Sequence, residues 1–132
     1  NPSLSGNGRK IAFTYERNGE KKILLKDLSN GRILPLRYLS RYQPYSSPSL
    51  SWNGRYLAII SKVQGRRIAF IEDLQSGRVY KLPLQFQALP KNISLAPDAT
   101  KVVIQFDNNG KSFFEFIDLR NLLTPDQYNL ID

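Results

Sequence analysis

The sequence predicts an all-β protein made of three copies of one four-stranded antiparallel unit. Two observations carry this. Pro2-Ser3-Leu4-Ser5 and Asn7-Gly8-Arg9 recur 46 positions later as Pro48-Ser49-Leu50-Ser51 and Asn53-Gly54-Arg55, and Ser94-Leu95 opens a third copy 45 residues further on. Each copy also breaks into short β-branched or aromatic runs bounded by turn residues.

The copies span residues 1–46, 47–91 and 92–132 of one domain, 1–132. In the first, "SLS" is a short strand, "KIAFTY" and "KKILLKD" are the long pair, and "RILPL" is an outer strand whose proline suits an edge. The second copy reads the same way as "SLS", "RYLAIIS", "RRIAFIED" and "RVYKLPL". The third offers "KVVIQF" and "SFFEFID" but no clear outer strand; Thr124-Pro125-Asp126 instead reads as the cap of a short terminal turn or helix. Asn-Gly pairs at 7–8, 18–19, 30–31, 53–54 and 109–110 supply turns, because both residues tolerate positive φ. The interval from the first serine to an aspartate is the same in every copy: Ser3 to Asp27, Ser49 to Asp73 and Ser94 to Asp118. A four-stranded unit repeating every ~40–45 residues is the pattern of a propeller blade.

The phrase "PSLSxNGRxxAF…DL…G" resembles the blade motif of TolB-type β-propellers. The third copy's "LAPDATKVV" keeps the Pro97-Asp98 turn of that motif but has Ala99 where glycine is expected. The resemblance implies an extracytoplasmic or periplasmic setting and, often, a role in holding partner proteins; some members are lids on hydrolases, but nothing hydrolase-like follows here, and we expect a non-enzymatic binding module for a protein, peptide or anionic polymer. Three blades are half of the six usual in that family, so homodimerisation would complete a ring; a fragment of a longer propeller is the other reading. The copies carry net charges of +6, +5 and −3, which favours pairing a first copy with a third.

Composition excludes much chemistry. The chain has neither cysteine nor histidine, so it has no disulfide, no thiolate or imidazole metal site and no Ser-His-Asp triad. No phosphate-cradling loop occurs, and we expect no cofactor and no bound metal. The remaining enzymatic reading is a carboxylate-dependent carbohydrate-active enzyme drawing on Asp98, Asp107 and Glu115. Asp27, Asp73 and Asp118 read as structural repeat positions that fix turns through side-chain to backbone bonds. The stretch Arg37–Tyr45 interleaves Arg37 and Arg41 with Tyr38, Tyr42 and Tyr45; with Trp52 and Arg55 it forms the candidate partner-binding set, since aromatic and arginine residues dominate interface hot spots. A net charge of +8 points to a protein or an anionic polymer as partner, ahead of nucleic acid. No apolar run is long enough for a transmembrane helix.

Overall fold

The computed structural model describes residues 2–36, 39–85 and 88–123. Three antiparallel sheets follow one another along the chain. The first contains β1 (Ser3–Leu4), β2 (Lys10–Arg17), β3 (Glu20–Asp27) and β4 (Ile33–Leu34), in that order. A single 3-10 turn, Leu39–Arg41, leads to the second sheet: β5 (Gln43–Pro44), β6 (Ser49–Leu50), β7 (Tyr56–Val63), β8 (Arg66–Asp73) and β9 (Val79–Lys81). The third contains β10 (Pro90–Leu95), β11 (Lys101–Asn108) and β12 (Lys111–Asp118), and so has three strands among the described residues.

The five strands of the second sheet are four blade positions. β5 and β6 both pair with β7, Pro44 opposite Ser61 and Leu50 opposite Leu57, as two pieces of one innermost strand. Between them the Tyr45 and Ser46 N–H groups both donate to the Ile60 carbonyl, at 2.8 and 3.2 Å. From Pro44 to Ser49 the inner strand advances five residues against three on β7, Ser61 to Ala58, so two extra residues bulge out of the ladder. Pro48 then withholds an N–H from the sheet. The third sheet's inner strand bulges at the corresponding place, between Pro90 and Asn92.

Each long pair turns through two residues of positive φ: Asn18 and Gly19, Gln64 and Gly65, Asn109 and Gly110. These are the φ signs a type I′ hairpin needs. Ala99 also lies in the left-handed region, at φ 61°, where the other two copies have Gly8 and Gly54.

The central sheet is the spine. Tyr56 to Ser61 are all buried, as the unbroken apolar run "YLAII" requires of a strand covered on both faces. Leu57, Ile59 and Phe70 pack against Ala12 and Leu25 of the first sheet. Tyr56, Ala58, Ile60 and Ile71 pack against Leu95, Val102 and Ile104 of the third. Alternation of side chains along one strand thus builds two separate cores.

A repeated hydrogen bond joins the inner strands of adjacent blades. Leu50 N–H donates to Ser3 Oγ at 3.1 Å, and Leu95 N–H donates to Ser49 Oγ at 2.9 Å.

Candidate interaction surfaces

The stack has two ends, set by strand direction. One carries the turns after Asp27, Asp73 and Asp118. The other carries the three long hairpins.

At the first end all three aspartates accept the backbone N–H two residues on: Ser29 to Asp27 at 2.9 Å, Gln75 to Asp73 at 3.0 Å and Arg120 to Asp118 at 2.9 Å. The following leucines, Leu28, Leu74 and Leu119, donate back across the turn to the carbonyls of Arg9, Arg55 and Thr100. The environment holds the carboxyls below their usual range. For Asp27 the main cause is the Ser29 hydroxyl. For Asp73 burial pushes upward, but the Arg55 side chain, Ser76 and Gln75 together outweigh it. For Asp118 the Arg120 guanidinium takes the pKa down to about 2.

Two members of the candidate set lie at this end. Arg55 grips both Asp73 oxygens, at 3.1 and 3.2 Å, and lies over the Tyr56 ring. Trp52 is a strut between blades. Its N–H donates to Pro97 O at 2.7 Å, its carbonyl accepts from Asn7 N–H at 3.0 Å, and its indole occupies the space where a Cβ on Gly6 would stand.

Arg41, Tyr42 and Tyr45 lie toward the hairpin end. Gln43 faces Lys62, seven residues along β7 from Arg55, which at ~3.3 Å per residue puts the two parts of the set roughly 23 Å apart. Tyr42 stacks on Phe70, with centroids 5.5 Å apart and planes at 2°, and is half-buried between the first two blades. Arg41 and Tyr42 line a cleft of about 210 Å³ with Glu20, Lys21, Lys22, Ser40 and Gln43, Glu20 pairing with Lys22 at 3.2 Å. Tyr45 fills the next groove, with the Arg67 guanidinium 3.8 Å and the Lys62 ammonium 5.5 Å from its ring centre. Arg37, Tyr38 and the Thr124-Pro125-Asp126 cap lie outside the described residues.

The acids of the enzymatic reading are separated and engaged. Asp98 accepts the Thr100 N–H and hydroxyl at the Asp27-type end. Asp107, at the other end of β11, pairs with Lys91 at 2.8 Å. Glu115 accepts the Gln85 N–H at 3.0 Å. The pKa values of Asp98 and Asp107 are lowered, chiefly by Thr100 and Lys91 respectively, which is the opposite of what a general acid needs.

Sequence reasoning missed two features. One is Glu72, a carboxylate buried between the first two blades, whose Oε1 accepts Leu39 N–H at 3.3 Å. It hides in "RRIAFIED" beside the expected Asp73, and only strand parity could have turned it inward. The other is the charge at the hairpin end. Arg17, Lys21, Lys22, Arg41, Lys62, Arg66, Arg67, Lys91 and Lys111 gather there, against Glu16, Glu20 and Asp107.

The architecture is that of consecutive blades of a β-propeller, and solved TolB structures share this fold. TolB from Acinetobacter baumannii superposes with a TM-score of 0.70 at 20% identity, over 91% of this chain and 29% of that one. A putative TolB from Agrobacterium tumefaciens gives 0.69 at 12% identity, over 97% of this chain and 45% of that one. An acylaminoacyl peptidase in complex with Z-Gly-Gly-Phe-chloromethyl ketone gives 0.63 at 17% identity, over 91% of this chain and 23% of that one. The chain therefore spans less than half the length of each, and at these identities the likeness is one of fold. No protein-family model and no curated protein sequence matches the chain. Among the described residues no helix is long and apolar enough to cross a membrane.

Proposed function

We propose that these blades form a non-enzymatic, extracytoplasmic binding module that presents its hairpin edge to an acidic partner, a protein segment or another polyanion. One observation carries this reading. Nine cationic side chains meet three acids at the hairpin end, and the two inter-blade grooves there combine cations with tyrosine. Such an edge steers anions and concentrates them near the grooves. The engagement of Asp98, Asp107 and Glu115 in structural bonds supports a binder over a carboxylate enzyme. The TolB-like fold supports the extracytoplasmic setting. The same reading has the ring completed by a second copy.

Binding of poly-L-glutamate, followed by anisotropy at low and at high salt, tests the edge. Lys21→Glu/Arg66→Glu/Lys111→Glu changes one exposed cation per hairpin. Arg9→Glu/Arg32→Glu/Arg78→Glu makes the same charge change at the opposite end. The reading expects the first variant to lose at least tenfold in affinity and the second to change much less. Equal losses would mean net charge alone is responsible, and an inert wild-type chain would refute the proposed function.

A further inference from the structure

The outer faces of the first and third blades carry, position for position, the groups that lock the blades together inside the stack. Toward its predecessor each blade presents one leucine from the inner strand: Leu50 and Leu95, both 6% exposed, and Leu4, 57% exposed. Toward its successor each presents the residue before Asp-minus-one on the third strand: Leu25 and Ile71, both buried, and Phe116, 72% exposed. The inter-blade hydrogen bond has the same two open halves. Ser94 is the third member of the Ser3 and Ser49 series, and its hydroxyl has no partner among the described residues. Leu4 N–H is the missing donor. Ser5 N–H points at Lys10 O, so the preceding amide is turned away from β2. A third bond follows the same logic. Lys10 Nζ donates to Gly54 O of the next blade at 3.0 Å; Lys101 is the third-copy equivalent of Lys10, and Gly8 that of Gly54.

We infer that a second copy of this chain docks head-to-tail on these faces, with Ser94 Oγ of one copy accepting Leu4 N–H of the other and Phe116 seated against Leu4 and Ile11. This rests on the ring-completion reading above and fixes its register. Size and charge agree with it. Phe114 and Phe116 are larger than their counterparts Ala69 and Ile71, but the facing blade compensates: where the third blade has Ile117, the first has Lys26, whose stem can lie along an aromatic ring. The first copy's net charge of +6 meets the third copy's −3. Both faces would be used twice in a two-fold ring, so the contact is heterologous and closes after two chains.

Sedimentation equilibrium on the 132-residue chain tests this. The expected species has twice the 15.1 kDa chain mass. Ser94→Ala should weaken the dimer about tenfold, as one modest hydrogen bond lost at each of two interfaces implies. Phe116→Glu and Leu4→Glu alter exposed side chains, and circular dichroism verifies that both variants fold. Each alone should be monomeric, and an equimolar mixture should associate again, because one pairing in the mixed species is wholly native. Two outcomes overturn the inference in different ways. A wild-type monomer at all concentrations removes ring completion itself. A dimer indifferent to these substitutions, or variants that the mixture does not rescue, leaves self-association standing but puts it on another surface.

Discussion

Gly6→Ala isolates the contact that ties the first two blades at their Asp27-type end. A Cβ at Gly6 would lie 1.9 Å from Trp52 Cε3 and 2.5 Å from Cζ3, far inside any tolerable separation. The ring cannot yield without strain, because Trp52 backbone atoms are held by Asn7 on one side and Pro97 on the other. Overpacking of this kind costs about 1–3 kcal/mol. Taking ~2 kcal/mol, the melting temperature should fall by roughly 6–10 °C in a domain of this size. Gly6 itself is not in the left-handed region, so alanine brings no backbone penalty and a small gain of about 0.4–1 kcal/mol through the unfolded chain. The loss should therefore vanish in a Trp52→Ala background, giving a coupling of about 2 kcal/mol between the two positions. Thermal unfolding of the four proteins in that cycle is the assay. An equal loss with and without the indole would refute the packing argument.

Other expectations follow from the same contacts. Ser49→Ala leaves Leu95 N–H without its acceptor between the second and third blades and should cost about 1–2 kcal/mol by chemical denaturation. Ile59→Ala empties a fully buried site on the first-blade face of β7 and should cost about 2–5 kcal/mol, whereas Phe113→Ala, on the exposed third-blade hairpin, should cost far less. Asp27, Asp73, Asp98 and Asp118 have folded-state pKa values below their unfolded ones. The stability they contribute is present above the unfolded carboxylate pKa of ~3.9 and is lost as pH falls through the folded values, toward about 2 for Asp118. Melting temperature should accordingly drop on acidification below about pH 4, and Asp73→Asn should flatten that drop; an unchanged slope would mean Arg55 contributes nothing through this pair.

The blades were legible because the repeat preserves the residues a blade cannot do without. The serine-to-aspartate interval fixes the distance from inner strand to outer turn, and Asn-Gly marks two of the three long hairpins. The second blade's hairpin lacks that mark, because Gln64 takes the left-handed position that asparagine holds in the other two. The split inner strand escaped too: Pro44 and Pro48 mark an interruption, but the bulge at Ile60 depends on cross-strand bonds no local pattern encodes. The candidate surface was legible only as residue types. Nearness in sequence grouped Tyr45 with Trp52 and Arg55, yet an inner strand runs between them and carries them toward opposite ends. The charged edge was hidden for the converse reason, since its members are scattered over the chain and converge only when three hairpins stack.

The central claim is that β7 is the shared spine of three blades whose outer faces repeat its inner interfaces. Residue-resolved hydrogen exchange across a range of protein concentrations tests this most directly. The account predicts that amides of Tyr56 to Ser61 exchange only through global unfolding at every concentration, and that protection near Leu4 and along β12 rises as the protein is concentrated. Early exchange in β7, or protection at Leu4 and β12 that is indifferent to concentration, would contradict it.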